Sequence, residues 1–253
     1  MKIKFLGTSA GWPLPRLGCS DQICTSLDPK DKRTRSQALI NDRLLLDIGP
    51  DTYLHLRAPK LNPTKIRYAA VTHEHPDHTY GLWDLGHIYN SKQIKVIIHP
   101  STFHKIQKLF FPKEYNVLKT LATTPVTVGD MKVSLLPVNH TNSSFGVLVQ
   151  EDDKRLFWAP DFKSLPDETM KALAGIDLIA MDASELRITS SGHQTIEEGI
   201  KLGSQLKAKK VYFIHIGHRT LPHKELEKYV KENGGTQFEI PYDGLEMILK
   251  FDQ

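Results

Sequence analysis

Short apolar runs rich in β-branched residues recur along the whole chain. Runs of this length and composition are typical of β-strands. In the first half of the chain the runs come in hairpin-like pairs, whereas in the second half they alternate with helical patterns. The runs predict strands at Ile3–Leu6, Gln37–Ile40, Leu44–Leu46, Tyr68–Thr72, Lys95–Ile98, Met131–Pro137, Phe145–Gln150, Arg155–Trp158, Leu178–Met181, Val211–Ile214 and Leu245–Leu249.

Between these runs the apolar positions have helical spacing. Ser101 is placed to cap the helix that follows Pro100, and the pair Gly234 and Gly235 to end the last helix. The predicted helices are Asp51–Arg57, His78–Tyr89, Thr102–Phe110, Asp167–Leu173, Thr195–Leu206 and Lys224–Glu232. Two sheets packed face to face with helices outside accommodate these strands, so we predict an α/β sandwich formed by a single domain over residues 1–253. The strand order is left open.

The composition is that of an ordinary soluble globular protein, with 40% hydrophobic and 25% charged residues. No apolar stretch approaches the ~18 residues of a membrane span, so we expect no membrane association. The apolar run near Met1 is too short for a signal peptide, and we expect a cytoplasmic protein.

The net charge of +4 is mild and permits an anionic substrate. Basic clusters at residues 30–35 and 207–210 have no aromatic residues interleaved with them. A nucleic-acid partner is therefore allowed but not favoured. A homodimer is left open.

The segment His73-Glu74-His75-Pro76-Asp77-His78 places four metal ligands by chemical type in one short stretch, directly after an apolar strand. At the end of a strand, residues i and i+2 point the same way, so His73 and His75 can bind one ion. Pro76 breaks the extended run and lets Asp77 and His78 turn toward a second ion. Imidazole and carboxylate suit zinc, manganese or iron, and two adjacent ions suit hydrolysis.

Two ions need more ligands than this segment supplies. His140, Asp161 and His215 each follow an apolar run directly, as residues of a site at one rim of a sheet would. We therefore predict that they join the same centre.

The order of these residues resembles that of the metallo-β-lactamase superfamily across nearly the whole chain, which implies an αββα sandwich. By this resemblance Asp161 would bridge two ions, and Asp47 would be the buried acid that orients the ligand loop. The first ion would be held by His73, His75 and His140, and the second by Asp77, His78 and His215.

A narrower resemblance is to the PhnP-like phosphoribosyl cyclic phosphodiesterases, in which a Cys-x-Cys-x-x-Cys loop and a later histidine hold a structural zinc. Here Cys19, Cys24 and His218 match that pattern, and Asp21 stands where the middle cysteine would be. A carboxylate also ligates zinc, so these four residues are a candidate structural zinc site. The alternative is that the two cysteines are small core residues.

His193 precedes a predicted helix and matches the family histidine that contacts substrate phosphate. It could also protonate the leaving oxygen. The alternative is that Thr195 caps the helix and His193 is merely exposed. The remaining histidines are expected to be ordinary surface or core residues: His55, His87, His99, His104 and His223.

The expected function is hydrolysis of a small cyclic or nucleotide-like phosphodiester by a hydroxide that bridges two divalent ions, zinc or manganese, with Asp77 and His193 taking part in catalysis. One alternative is transfer-RNA 3′ processing, although the nucleases of that group usually carry a long arm between the counterparts of His140 and Asp161. Thioester or β-lactam hydrolysis also stays within the superfamily. A further alternative is a non-catalytic metal-binding relative in cofactor biosynthesis. The substrate and the native metal are left open.

Overall fold

The computed structural model describes residues 1–59, 61–89, 91–110, 116–188 and 192–250. Its strands are β1 (Lys2–Gly7), β2 (Gln37–Ile40), β3 (Leu44–Leu46), β4 (Tyr68–Ala70), β5 (Lys95–Ile98), β6 (Asn116–Lys119), β7 (Val126–Val128), β8 (Met131–Pro137), β9 (Phe145–Glu151), β10 (Lys154–Ala159), β11 (Leu178–Asp182), β12 (Lys210–Ile214), β13 (Phe238–Glu239) and β14 (Glu246–Ile248). Its α-helices are α1 (Gln22–Thr25), α2 (Thr52–Leu56), α3 (Pro76–Thr79), α4 (Leu82–Leu85), α5 (Pro100–Ile106), α6 (Asp167–Leu173), α7 (Ile196–Gln205) and α8 (His223–Gly234). Short 3₁₀ turns lie at Pro29–Asp31, Pro63–Lys65, Ser91–Gln93 and Gln107–Phe110.

Within the described ranges the strands form two seven-stranded mixed sheets. The first has the order β14-β1-β2-β3-β4-β5-β6, and the second has the order β13-β12-β11-β10-β9-β8-β7. One half of each sheet is parallel: strands β3 to β6 in the first sheet and β10 to β13 in the second. The remaining strand pairs are antiparallel. The parallel strands bring their carboxyl ends to one rim, where connecting loops can build a site.

Side chains alternate between two cores along the central strands. Leu156 and Trp158 of β10 face the cluster between the sheets, whereas Phe157 and Ala159 face the cluster under the helices. Because both faces are buried, such strands appear in the sequence as continuous apolar runs. A third cluster lies on the other side of the first sheet. The helix–sheet–sheet–helix sandwich is confirmed. That it is a single domain over residues 1–253 stays a prediction.

The predicted helix His78–Tyr89 is wrong, because α3 ends at Thr79 and α4 begins at Leu82. The break lies where the chain approaches the end of β3. Ile48 N donates to His78 O at 2.9 Å, and Gly81 N donates back to Ile48 O at 2.9 Å. A Cβ on Gly81 would lie 2.1 Å from Gly49 O, so only glycine fits here. This close approach fixes Asp77 and His78 against the sheet.

Of two other predicted helix ends, the start of α5 is wrong and the end of α8 is confirmed. Ser101 does not cap α5, which begins at Pro100 with His99 as its cap; His99 Nδ1 accepts from Ser101 N. Helix α8 ends at the predicted glycines, and Gly235 has a φ of 103° that favours glycine. No helix in the described ranges is both long enough and apolar enough to span a bilayer.

Candidate metal centre

The predicted ligands lie at one rim, beyond the carboxyl ends of strands from both sheets. The segment that begins at His73 follows β4, and His140, Asp161 and His215 follow β8, β10 and β12. His215 has a φ of 57°, a left-handed conformation that is uncommon outside glycine. Backbone strain of this kind costs about 1–3 kcal/mol and is found at functional sites, where the surrounding structure enforces it.

One group of donor atoms consists of His73, His75, His140 and Asp161, whose ligand atoms lie within 4.8 Å of one another. His75 Nδ1 is 3.0 Å from His73 Nε2 and 3.1 Å from His140 Nε2. Oδ2 of Asp161 lies 3.6 Å from both His73 Nε2 and His140 Nε2. The four ligand atoms are therefore close enough together to bind one ion.

A second group consists of Asp77, His78, His215 and Asp161, again with ligand atoms within 4.8 Å of one another. Oδ1 of Asp161 is 3.3 Å from His78 Nε2 and 3.0 Å from His215 Nε2. Oδ2 of Asp77 is 3.1 Å from His78 Nε2 and 3.5 Å from His215 Nε2. Asp161 thus gives one carboxylate oxygen to each group, which is the arrangement of a bridging ligand.

The donor spacing fits metal ions. Ligands about 2.0–2.2 Å from a tetrahedral zinc are about 3.3–3.6 Å apart. The donor–donor distances of 3.0 to 3.6 Å are close to that range. His78 Nε2 and Asp161 Oδ1 are buried and make no hydrogen bond within the described part of the chain. Buried polar atoms without partners are costly, and a bound cation would satisfy both.

Asp47 holds the ligand loop from behind. It is fully buried, and its φ of 60° turns the chain at the end of β3. Its Oδ1 accepts from the backbone N and the hydroxyl of Thr72, at 3.0 and 2.9 Å. Its Oδ2 accepts from Trp158 Nε1 at 2.9 Å and lies 3.1 Å from His78 Nδ1. Carboxylates in this position fix the ring orientation of a metal-binding histidine.

Other ligand rings are also held by their outer nitrogens. His140 Nδ1 donates to Gly192 O at 2.8 Å, so that Nε2 is the nitrogen that faces Asp161. His215 Nδ1 lies 3.0 Å from Ser184 Oγ, and that hydroxyl donates to Asp182 Oδ1 at 2.7 Å. The outward bonds select the tautomer in which the inner nitrogen can bind a metal.

Buried charges in the centre stabilise one another. Burial by itself would raise the pKa of Asp161, but His215 and His78 beside it hold that pKa well below its usual range. Burial, with the nearby His78, lowers the pKa of His73 well below its ordinary value. These shifts favour an ionised Asp161 and a neutral His73, the forms that bind a metal. Burial would lower the pKa of His78, but the carboxylates of Asp77 and Asp161 raise it well above its ordinary value, so His78 would have to lose its proton to bind an ion.

His193 lies beside the centre and is oriented by an acid. Its ring stacks on that of His215 with centroids 5.3 Å apart, and its Nδ1 donates to Asp182 Oδ2 at 2.8 Å. Burial would lower the pKa of His193, but the hydrogen bond and charge of Asp182 raise it to about 9. Thr195 does cap α7, in a capping box with Glu198. Thr195 therefore caps the helix while His193 lies in the site.

A cavity of about 700 Å³ opens onto the centre. His75, Asp77, Asp161, His193 and His215 line its inner part. Its outer part is lined by aromatic and cationic side chains, among them Trp12, Tyr80, Arg16, Arg35 and Arg219. Arg35 pairs with Asp51, and Arg219 pairs with Glu185.

The cysteine loop assembles three of its four predicted ligands. Ligand atoms of Cys19, Asp21 and His218 lie within 4.8 Å of one another. His218 Nδ1 is 2.6 Å from Asp21 Oδ2 and 3.6 Å from Cys19 Sγ. Cys24 lies outside this group of three: its side chain is buried in the core under the second sheet, although its thiol contacts that of Cys19 and raises the pKa of Cys19.

Two acids that support the site were not among the residues predicted from the sequence. Asp182 is the last residue of β11 and orients both His193 and Ser184. It follows an apolar run directly, which is the same signal that singled out Asp161. Glu74 accepts from Ser143 Oγ at 2.6 Å and pairs with Lys105, so it ties the first ligand loop to the loop after His140.

The other histidines lie outside the two donor groups that surround Asp161. His55 is buried with hydrogen bonds to Gln37 and Thr34, and burial lowers its pKa to about 4. His223 is buried against Arg33, and burial with the nearby guanidinium lowers its pKa to about 4 as well.

Comparison with known proteins agrees with this architecture. A family model described as a beta-lactamase superfamily domain matches residues 42–216. An octanoyltransferase of Porphyromonas gingivalis is 26% identical over 98% of the chain and 52% of that protein. A ribonuclease Z of Ignicoccus hospitalis is 30% identical over 44% of the chain and 40% of that protein. The chain therefore spans about half the length of these curated relatives or less.

Two solved structures superpose on nearly the whole chain. A diphosphatase from the PhnP family has a TM-score of 0.85 and 25% identity, covering 98% of this chain and 97% of that one. Zinc-bound PqqB from Methylobacterium extorquens has a TM-score of 0.86 and 19% identity, covering 98% and 100%. The second similarity shows the fold alone.

We predict that Asp161→Asn will lower the metal content of the purified protein by one or two ions per chain relative to the wild type. The substitution keeps the shape of the side chain but removes the negative charge between two cations, which then repel each other. Mass spectrometry of metal content after dialysis measures this. Asp177→Asn is the matched control, because Asp177 is a buried acid bound to Arg155 N and Lys209, away from the centre. A metal content in Asp161→Asn equal to that of the wild type would show that Asp161 is not a bridge.

Proposed function

The chain belongs to the metallo-β-lactamase superfamily, and from this premise we propose that it is a metal-dependent hydrolase of small phosphodiesters. The observation that carries the proposal is the placement of Asp161, which turns one carboxylate oxygen to each of two donor groups. The chain spans only part of its curated relatives, so the support for this activity is the site itself.

In this proposal each donor group holds one divalent ion, zinc or manganese, with Asp161 shared. His73, His75 and His140 complete the first site, and Asp77, His78 and His215 complete the second. Two ions held there supply an activated water at neutral pH and neutralise charge on the phosphoryl oxygens. The residues of the chain hold these ions in one geometry, bind the substrate beside them and move its protons.

His193 is the residue that we assign to the leaving group. The bond from its Nδ1 to Asp182 fixes the ring, so that Nε2 is the nitrogen that meets the substrate. Its stacking on His215 places the imidazole against a residue of the second donor group. A proton given from Nε2 to the departing oxygen would avoid the release of a bare alkoxide. Asp77, as a ligand on the same side, is the other residue that we expect to be essential for turnover.

The outer part of the cavity favours a phosphodiester over a neutral ester or amide. Three guanidinium groups line it, from Arg16, Arg35 and Arg219, and arginine suits phosphate in charge and in geometry. The similar PhnP-family structure is that of a diphosphatase. A cavity of about 700 Å³ has room for a phosphodiester with a sugar or nucleotide-like substituent.

Transfer-RNA 3′ processing is the second candidate, because one of the curated relatives is a ribonuclease Z. Against it, the interval between His140 and Asp161 is filled by β9 and β10, which are hydrogen-bonded strands of the second sheet. No RNA-grasping arm projects from this interval. A non-catalytic role is disfavoured because both donor groups are complete.

The direct test is a hydrolysis panel with the zinc- and manganese-loaded protein. The substrates are bis-p-nitrophenyl phosphate, a 2′,3′-cyclic nucleotide, a base-free cyclic ribose phosphate, a transfer-RNA precursor with a 3′ trailer and a β-lactam. We expect turnover of the small phosphodiesters that chelation abolishes and metal restores. Cleavage of the RNA precursor alone, or of none of the five, would contradict the proposal.

We predict that His193→Ala will lower turnover without changing the metal content, because His193 is assigned to the substrate and not to an ion. General acid catalysis is worth roughly 10²–10⁴-fold. The loss should be larger for the cyclic ribose phosphate than for the nitrophenyl ester, since nitrophenolate leaves without a proton. Equal losses on both esters would indicate phosphate binding instead, and no loss on either would remove His193 from the site.

We also propose that Cys19, Asp21 and His218 hold a third, structural zinc. We predict that Cys19→Ser will lose this ion and lower the melting temperature, because structural zinc contributes to the free energy of folding. Cys24→Ala is the paired variant and should keep the ion, since Cys24 lies outside the group of three ligands. Metal counting and thermal unfolding measure both effects. Loss of the ion in both variants would return Cys24 to the ligand set, and a wild-type protein with only two ions would remove the site.

A further inference from the structure

Trp12 lines the cavity next to the metal centre, although more than half of its side chain is exposed. Single exposed aromatic residues are common on protein surfaces and by themselves need no explanation. The position of Trp12 is what sets it apart. Its neighbour Gly11 is packed so tightly against Asp77 that an added Cβ would lie 3.2 Å from Asp77 Oδ2. The indole is therefore carried by the residue adjacent to one that touches a predicted metal ligand.

The loop that carries Trp12 is fixed on both sides. Ser9 Oγ donates to Trp12 O at 2.5 Å, and Arg35 Nε donates to Gly11 O at 2.9 Å. Beyond Trp12, Leu14 and Arg33 exchange two backbone hydrogen bonds, at 2.8 and 2.9 Å. A ring on an anchored loop binds a ligand without a large loss of conformational entropy, so this loop is suited to recognition.

Arg16 covers one face of the indole. Its guanidinium carbon lies 4.9 Å from the ring centroid, a cation–π contact. Its Nη1 lies 2.9 Å from His218 Nε2, and no carboxylate pairs with it in the described part of the chain. Because this face is covered and Trp12 is 56% exposed, a planar ligand would have to stack on the opposite face, which we call the open face. The cation would then lie across the indole from that ligand.

We propose that Trp12 and Arg16 form a base-binding subsite, so that the enzyme takes nucleoside phosphodiesters in preference to base-free ones. The nucleobase stacks on the open face of Trp12, and the phosphate reaches the metal centre beside Asp77. Stacking on an aromatic side chain tolerates any base, because every base has a π face. The subsite therefore selects for the presence of a base and not for its identity. This inference rests on the proposed phosphodiesterase function and names its substrate class.

The test compares two substrates on four proteins. The substrates are a 2′,3′-cyclic adenosine phosphate and a base-free cyclic ribose phosphate, and the measured quantity is the ratio of their kcat/KM values. The proteins are the wild type, Trp12→Ala, Trp12→Phe and Trp83→Ala. Trp83 is the matched control, because it is 55% exposed, contacts the ring of His87 with centroids 4.6 Å apart and is not among the residues that line the cavity.

We expect the wild type to prefer the nucleotide and Trp12→Ala to lower the ratio by about 5- to 150-fold, the range that base stacking supplies. Trp12→Phe should keep most of the preference, since it keeps an aromatic ring, and Trp83→Ala should keep all of it. A wild type without preference, or an unchanged ratio in Trp12→Ala, would overturn the inference.

A binding measurement separates this inference from the proposed function. Calorimetry on the metal-loaded proteins compares adenosine 5′-monophosphate with ribose 5-phosphate. If neither ester is hydrolysed, the proposed function fails, and binding alone decides the subsite. Tighter binding of the nucleotide that is lost in Trp12→Ala and kept in Trp83→Ala would support it. Equal affinity for the two ligands would overturn it.

Discussion

The structure depends on one buried carboxylate, Asp161, that lies between two groups of donor atoms. Its two oxygens face different histidines, at 3.0 to 3.6 Å, and the side chain is almost completely inaccessible to solvent. A buried ionised carboxylate is strongly unfavourable unless charges and hydrogen-bond donors compensate it. The histidines around it provide part of that compensation, and cations in the two donor groups would provide the rest. The sandwich places these groups together because the strands that precede them end at the same rim.

The polar residues behind the centre follow from the same constraint. Asp47 and Asp182 are buried acids that accept hydrogen bonds from backbone, hydroxyl and ring donors. Asp47 lies against His78, and Asp182 contacts His193 directly and His215 through Ser184. These contacts hold the imidazole rings in fixed orientations. The orientation of the groups that line the inner cavity is thereby fixed by acids behind them. In the proposed function, the outer part, where the arginines and Trp12 lie, selects the substrate.

The core of this fold and most of its centre could be predicted from the sequence, whereas the edges could not. Continuous apolar runs indicate the central strands because these are buried on both faces. Three of the four edge strands, β6, β7 and β13, were not predicted. They are short and, apart from one or two residues, partly exposed, so they carry no apolar run. The break between α3 and α4 also escaped prediction, because it comes from the tertiary contact of Gly81 with Gly49. The position of Trp12 and Arg16 at the cavity likewise depends on the folded structure and leaves no periodic pattern in the sequence.

The claim that two ions share Asp161 is tested most directly by anomalous diffraction from crystals of the metal-loaded protein, measured at the absorption edges of zinc and manganese. Two peaks roughly 3.5–4 Å apart, the spacing of two-metal hydrolytic sites, are expected at this centre, with the Asp161 carboxylate between them. One peak should lie among His73, His75 and His140, and the other among Asp77, His78 and His215. A single peak at this centre, or two peaks that do not both contact Asp161, would contradict the claim.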